Sequence, residues 1–262
     1  IGEQAGIQYE TAHGGFLAAS GDTDIMVGCL PTRQPWPPGS GCNLRSRAES
    51  TGHEPRFRRT RVRGIEHIPW LYDALMSVMD ATGFSRWRRR LVSGARPVTL
   101  EVGCGTGRNL PLYPSGTDVV ATDLDLAALR RARRRAPGIP VVAARAEALP
   151  FRDRSFDTVV SGLVFCSVQD PDRGLSEIRR VLTLGGRLRM IEHVRHAHPL
   201  LGRMQDGVQP AWTWITGGCH LNRDTEATVE RAGFVIEAED RVSRGVMRRF
   251  SARVADREPR VD

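Results

Sequence analysis

The chain has 262 residues and a mass of 29.0 kDa, with 40% hydrophobic and 26% charged residues, a composition typical of a globular protein. No apolar run reaches the roughly 18 residues of a membrane span, and the N-terminus lacks the order of a signal peptide, so we expect a cytoplasmic protein. The formal net charge is +8, and all 38 basic residues are arginines, which alone does not indicate a nucleic-acid partner.

Neither the cysteines nor the arginine runs indicate a specialised site. The five cysteines show no C-x-x-C spacing, so we predict neither a disulfide framework nor a structural zinc site. Arginines cluster at residues 86–90 and 130–135, and the second cluster follows leucines at helical spacing. We interpret both clusters as solvated helix faces and do not expect nucleic acid as a partner.

Residues 1–62 are rich in Gly, Pro, Ser and Arg and show no sustained periodicity, which predicts a disordered N-terminal extension. From Ile65 the pattern changes. Apolar residues at 68, 71, 75 and 78 share one helical face, and a second helical segment follows at residues 84–92. We therefore predict a domain over residues 63–254 that begins with two helices, and a flexible tail at 255–262.

The segment EVGCGTG at residues 101–107 follows a predicted buried strand, and strands and helices alternate after it. The predicted strands lie at residues 98–102, 118–123, 140–144, 156–162, 187–194, 234–240 and 246–254. This alternation predicts an α/β fold: a Rossmann-like, doubly wound, mostly parallel seven-stranded sheet with helices on both faces. Ligands bind such sheets at the carboxyl ends of the strands, where the glycine-rich segment lies.

The glycine spacing separates two classes of nucleotide cofactor. A dinucleotide fingerprint needs a small residue where this chain has Arg108. The spacing acidic-x-G-x-G-x-G, headed by Glu101, instead resembles motif I of class I S-adenosylmethionine-dependent methyltransferases. The resemblance covers roughly residues 65–252. RAEALPFRDRSFDTVVSGLVFCSV is similar to the ubiquinone/menaquinone (type 11) branch, and the C-terminal half is similar to the methyltransferase-like thiol S-methyltransferases.

The resemblance implies that S-adenosylmethionine is the cofactor. It places Glu101 toward the amino group of the cofactor and Asp123 on both ribose hydroxyls. The residues implied to bind the cofactor are Glu101, Gly103, Cys104, Gly105, Gly107, Asp123, Leu124, Ala146, Glu147 and Ser161. The family's adenine-facing acid is replaced by Arg145, so we expect that contact to pass to the backbone near Ala146 and Glu147.

Glu192 and His193 end the fifth strand beside the expected methyl donor, and we take them as catalytic candidates that orient or deprotonate the acceptor. His193 could also simply pack against its neighbours. The spacing of His193, His196 and His198 matches no helical ligand pair, so we predict no metal site. Tyr72, Trp212 and Trp214 are candidates for the substrate pocket, and core packing explains them equally well.

The implied function is transfer of the methyl group of S-adenosylmethionine to a small-molecule acceptor, whose reacting atom can be sulfur, oxygen, nitrogen or carbon. Two alternatives stay open. One is a module that binds S-adenosylmethionine without turnover. The other is a nicotinamide-dependent oxidoreductase, which Arg108 and the absence of lysine for a Tyr-x-x-x-Lys pair disfavour. The D/N-P-P-Y/F signature of nucleic-acid methyltransferases is missing after the fourth strand.

Overall fold

The computed structural model describes residues 26–27, 64–65 and 68–255 of the chain. The predicted disordered extension, apart from Met26–Val27, and the predicted tail after residue 255 lie outside the described residues. Within the described residues, no helix combines the length and the apolar character needed to cross a membrane.

The described residues form an alternating series of strands and helices. The strands are β1 (Met26–Val27), β2 (Val98–Val102), β3 (Asp118–Asp123), β4 (Val141–Ala143), β5 (Phe156–Gly162), β6 (Leu182–His193), β7 (Phe234–Arg244) and β8 (Met247–Val254). The helices are α1 (Pro69–Met79), α2 (Ser85–Val92), α3 (Leu126–Arg135), α4 (Pro171–Val181), α5 (Pro199–Thr216) and α6 (Thr225–Arg231).

The strands form one sheet in the order β1-β4-β3-β2-β5-β6-β8-β7. Strands β1 to β6 pair in parallel, whereas β8 is antiparallel to both β6 and β7. The predicted Rossmann-like, mostly parallel sheet is confirmed. The seven predicted strands correspond to β2–β8, and the two-residue strand β1 is an addition from a segment where we predicted none. The strand order reverses at β2, since β3 lies on one side of it and β5 on the other. The carboxyl ends of these strands therefore flank the switch point, where such sheets bind ligands.

Both faces of the sheet are covered, as the continuous apolar strands require. Neighbouring residues of β5 show this directly, since Val159 and Val160 are both buried but belong to different core clusters. Val159 packs with side chains of α4 such as Leu175, and Val160 packs with Leu91 of α2. Helix α3 covers β3 on the same face as α2 and contributes Leu129 to the core.

The two N-terminal helices exist as predicted, but their orientation differs from the expectation. Of the apolar residues predicted to share a face of α1, Val78 is 64% exposed and Leu75 is also exposed, whereas Met76 is buried. The chain kinks at Gly83, whose φ of +107° is left-handed, before α2 begins. The apolar pattern of α1 was misleading because polar contacts, described below, dock this helix on the domain.

The arginine clusters are not simply solvated faces. Arg88 is only 6% exposed, and its guanidinium donates to Asp80 and Asn109 and lies over the ring of Phe84. In the second cluster, Arg135 reaches across to α1. The prediction of solvated arginines was wrong for these residues because Asp73 and Asp80 supply half-buried acidic partners from other segments of the chain.

Helix α5 replaces what we expected to be a long connection after β6. Its buried side chains include polar ones, and Gln205 donates to the carbonyl of Val194, while Gln209 donates to that of Cys219. Its large apolar side chains are exposed: Leu200, Leu201, Met204, Val208, Trp212, Trp214 and Ile215. A helix docked through glutamines lacks the inward apolar stripe that makes helices recognisable in a sequence.

Candidate active site

The glycine loop lies at the carboxyl end of β2, and its three glycines have different roles. Gly103, Gly105 and Gly107 have φ values of +68°, +54° and +77°, which residues with a side chain rarely adopt. A Cβ at Gly103 would lie 2.3 Å from Val164, and one at Gly107 would lie 2.7 Å from the Cα of Ala132 in α3. No other described atom comes within 4 Å of a Cβ at Gly105, so that glycine faces open space.

Asp123 ends β3 and holds the glycine loop through its carboxylate. Its Oδ2 accepts a hydrogen bond from the Gly105 N–H at 2.7 Å, and its Oδ1 accepts one from the Asp125 N–H at 2.8 Å. Burial raises the pKa of Asp123, although these backbone hydrogen bonds favour the carboxylate. Asp125 caps α3 by accepting from Ala127, and the half-exposed Leu124 lies between the two acids.

Glu101 faces the interior rather than the open side of the loop. It lies in register with Ala121 and Val160, on the sheet face covered by α2 and α3, and is 1% exposed. Asn109 and Tyr113 each donate a hydrogen bond of 2.9 Å to its carboxylate. Burial raises the pKa of Glu101 to about 7 despite these bonds. The expected contact of this acid with a cofactor amino group stays a prediction.

Helix α1 closes over the glycine loop through charged contacts that the sequence did not reveal. Thr106 donates a hydrogen bond of 2.6 Å to Asp73, and Arg108 bridges Asp73 at 3.2 Å and Asp80 at 2.7 Å. Arg135 of α3 also pairs with Asp73 at 3.2 Å. Burial opposes ionisation of Asp73, but hydrogen bonds from Thr106 and Arg135 hold its pKa below the usual range. The loop is thus fixed between α1 and α3.

Two other residues that we expected at the cofactor have inward side chains. Cys104 is buried in the cluster beneath α3, and its backbone N–H donates to the carbonyl of Thr122. Ser161 is completely buried, and its hydroxyl lies 3.5 Å from a carboxylate oxygen of Glu192. Their side chains face the core, and their expected contribution to cofactor binding stays a prediction.

Ala146 and Glu147 lie in the turn bridged by residues 145 and 148, at the carboxyl end of β4. The side chain of Arg145 donates to Gln169 at 3.1 Å and lies 3.6 Å from the carboxylate of Glu147. Glu147 also accepts from the Asp170 N–H at 3.4 Å. Arg145 therefore takes part in side-chain contacts within the turn, and the expected contact of the backbone with adenine stays a prediction.

Glu192 supports the loop after β5 and is not placed as a general base. It is fully buried, and its carboxylate accepts hydrogen bonds of 3.0 to 3.1 Å from the backbone N–H groups of Val164, Phe165 and Cys166. Burial raises its pKa to about 7, and the three amides oppose that shift. The adjacent Leu163 has a left-handed φ of +63°, so the carboxylate stabilises a strained turn.

His193, the second catalytic candidate, lies beside two cysteines for which the sequence indicated no specialised site. Its Nδ1 is 3.5 Å from the Sγ of Cys219, and the ligand atoms of Cys166, His193 and Cys219 all lie within 4.8 Å of one another. Both cysteines are 1% exposed, whereas His193 is half-buried. Hydrogen bonds from Cys166 and then His193 lower the pKa of Cys219, although burial opposes the thiolate.

The substrate-pocket candidates separate from one another. Trp212 contributes to the lowered pKa of Cys219 and therefore lies near the cysteine and histidine cluster. Trp214 is 76% exposed, because two residues along a helix point in very different directions. It neither lines the site nor belongs to the core. Tyr72 is half-buried on α1, next to the acid that contacts the glycine loop.

Comparisons with known proteins agree with this geometry. The sequence matches the methyltransferase domain family over residues 100–190. It is 37% identical over 143 residues to the thiol S-methyltransferase TMT1B of Rattus norvegicus, covering 52% of this chain and 59% of the relative. It is 38% identical over 136 residues to the demethylmenaquinone methyltransferase of Renibacterium salmoninarum, covering 50% of this chain and 56% of the relative. The chain thus spans little more than half of these two relatives.

A longer match supports the same family. The chain is 36% identical over 172 residues to the human thiol S-methyltransferase TMT1A, covering 63% of this chain and 70% of that protein. A solved S-adenosylmethionine-dependent methyltransferase from Thermotoga maritima has a similar fold, with a TM-score of 0.55 and 20% identity over 72% of this chain and 99% of the other. The chain belongs to the S-adenosylmethionine-dependent methyltransferase family.

Proposed function

We propose that the protein binds S-adenosylmethionine over the glycine loop and transfers its methyl group to a small-molecule acceptor. The observation that carries the proposal is the contact between Asp123 and Gly105, which holds a loop with open space above it at the switch point of the sheet. Each carboxylate oxygen of Asp123 has a second lone pair, so the acid can accept from ribose hydroxyls while it keeps its backbone bonds. The residues present therefore fit this cofactor.

The same loop disfavours a nicotinamide dinucleotide. A dinucleotide site places the diphosphate on the N-terminus of the helix that follows the glycines. Here residues 108–117, all described, contain only a 3-10 turn at Leu110–Leu112. Arg108, at the position of the last small residue of that fingerprint, points to Asp73 and Asp80 instead. Neither the dipole nor the close helix packing of a dinucleotide site is present.

When bound, S-adenosylmethionine supplies a methyl carbon that is already activated by a positive sulfur. The protein's contribution is then mainly positioning of the acceptor and exclusion of water, which can lower a barrier by about 7 to 11 kcal/mol. His193 is half-buried at the carboxyl end of β6, and we assign it the role of orienting the acceptor or taking its proton. Glu192 serves this site indirectly, because it holds the loop that carries Cys166.

The relatives act on different acceptors, since their names specify thiols and demethylmenaquinone. We therefore propose the class of small-molecule acceptors, and the cytoplasmic location expected from the sequence stays a prediction. A test uses labelled S-adenosylmethionine with a thiol, a quinol, a phenol and an amine as separate acceptors. Label in any of these products supports the enzyme. Tight binding without product from all four supports the non-catalytic module instead.

Calorimetry tests the cofactor independently of the acceptor. We expect micromolar binding of S-adenosylmethionine and of its demethylated product, without competition from NAD. Binding of NAD together with no binding of S-adenosylmethionine would contradict the proposal.

A further inference from the structure

The cluster of Cys166, His193 and Cys219 lies at the carboxyl ends of β5 and β6, and the role assigned above to His193 leaves the two thiols unused. We propose that these three residues form a site for Zn²⁺, or another thiophilic divalent cation, with a fourth position that takes the sulfur of a thiol acceptor. The choice of a thiol rests on the proposed methyl transfer, whereas the metal site itself does not.

The donor set and its spacing suit such an ion. Two thiolates and one imidazole form a known set of ligands for zinc, which binds sulfur at about 2.3 Å and nitrogen at about 2.0 Å. Around a tetrahedral ion, such ligand atoms lie roughly 3.5 to 3.8 Å apart. In the structure, the Nδ1 of His193 and the Sγ of Cys219 are 3.5 Å apart, and the sulfur of Cys166 lies within 4.8 Å of both. This upper bound exceeds the tetrahedral spacing by only about 1 Å.

The backbone around both cysteines is fixed by hydrogen bonds. Glu192 accepts from the Cys166 N–H at 3.1 Å, and the Cys166 carbonyl accepts from the His220 N–H at 2.8 Å. Gln209 donates to the carbonyl of Cys219 at 3.0 Å. Outer contacts of this kind orient the ligands of metal sites, and their loss typically weakens affinity by about 10-fold to 100-fold. The cluster is therefore held together without an ion.

Two further features describe the surroundings of the cluster. Trp212 lies on α5, which leads into Cys219, and its indole is 36% exposed. Val164, two residues before Cys166, packs directly over Gly103 of the glycine loop. The loop that carries Cys166 is therefore in contact with the glycine loop.

The number of protein ligands indicates the chemistry. Structural zinc sites have four protein ligands, whereas catalytic sites have three and keep a position for water or substrate. The described residues supply three here. A thiol that enters the fourth position forms a metal–sulfur bond and loses its proton to solvent, so it is a thiolate at neutral pH. In the metal-bound protein, His193 is then a ligand, and no separate base is needed.

The metal site is tested on the full chain, both with its natural sequence and with Cys29 and Cys42 replaced by Ser, which leaves the buried Cys104 as the one thiol outside the cluster. Metal-free, reduced protein is titrated with Zn²⁺ against a chromophoric chelator, and with Co²⁺ to detect thiolate-to-metal charge-transfer absorption. We expect one tightly bound equivalent in both chains. Cys219→Ser and His193→Ala should weaken binding by about 100-fold or more, whereas His198→Ala, an exposed histidine outside the cluster, should not.

Two results overturn the site. One is the absence of stoichiometric binding by folded natural protein, and the other is binding that Cys219→Ser and His193→Ala leave unchanged. Neither result depends on how well a variant folds, because the first uses the natural chain and the second requires retained binding. Melting curves without metal show which variants are folded.

The fourth position is tested with 2-mercaptoethanol on the Co²⁺-loaded protein. Added thiol should increase the charge-transfer absorption, and phenol should not. An unchanged spectrum refutes the thiol position even if the metal binds. Calorimetry with S-adenosylmethionine on the metal-free protein separates this proposal from the proposed function, because loss of cofactor binding refutes only the latter.

Discussion

Asp123 allows the sharpest test of the cofactor site, because a neighbouring acid provides a matched control. Asp123→Ala removes the acceptor of two backbone N–H groups, those of Gly105 and Asp125, at 2.7 and 2.8 Å. Hydrogen bonds to a charged acceptor contribute about 1.5 to 3 kcal/mol each, less what water recovers at a partly exposed loop. We therefore expect a loss of about 2 to 4 kcal/mol in the free energy of unfolding.

The same substitution should weaken S-adenosylmethionine binding. The carboxylate no longer meets the ribose hydroxyls, and the loop at Gly105 is no longer held for the cofactor. A loss of about 2 to 4 kcal/mol corresponds to roughly 30-fold to 1000-fold lower affinity. Asp125→Ala is the control, since Asp125 caps α3 through Ala127. It should cost about 1 kcal/mol of stability and leave affinity nearly unchanged.

The assay is a pair of calorimetric titrations under one buffer condition, together with denaturant unfolding of both variants. Equal losses of affinity in the two variants would show that the effect is general destabilisation of the α3 start. A larger loss for Asp125→Ala than for Asp123→Ala would show that the ribose-binding acid is misassigned.

Three further predictions concern buried groups around the site. Glu192→Ala leaves three amides without their acceptor and should lower the free energy of unfolding by about 3 kcal/mol or more, with a smaller loss for Glu192→Gln, as measured by denaturant unfolding. Gly107→Ala forces a Cβ against Ala132 and should mainly destabilise the fold, by about 1 to 3 kcal/mol. Gly105→Ala, with open space around it, should instead lower cofactor affinity by about 10-fold or more. Equal losses of melting temperature and of affinity in the two variants would contradict this difference. The pKa of Glu101 is raised from an ordinary 4.5 to about 7. The protonated acid therefore contributes stability that is present below pH 4.5 and is lost as the pH rises through 7. Between pH 4.5 and 8 the free energy of unfolding should fall by up to about 3 kcal/mol more in the natural protein than in Glu101→Gln.

The pattern of strands and helices was predictable because its signals are local. Apolar runs bounded by turns located β2, β3 and β5 nearly to the residue. Helix α5 was missed because its buried face is polar and its large apolar side chains point to solvent. It therefore lacks the core-facing apolar stripe that normally reveals a helix in a sequence.

The glycine loop was predictable for the same reason, since each glycine is required by its own backbone angle and the strand end is set by the sequence before it. Asp123 was also identified correctly as the acid that ends the second strand, and the structure adds its contact with Gly105. The inward turn of Glu101 was not predictable from the motif, because it depends on Asn109 and Tyr113 folding back over the sheet.

The sequence by itself determined the α/β fold, the family and the position of the glycine loop, because periodicity and motif spacing act over a few neighbouring residues. Tertiary structure alone brought Cys166, His193 and Cys219 together. Cys166 follows β5, His193 ends β6, and Cys219 follows α5. Only the pairing of β5 with β6 and the docking of α5 through its glutamines make these residues neighbours. Such contacts depend on how whole elements pack, and no local pattern in the sequence encodes the distance between them.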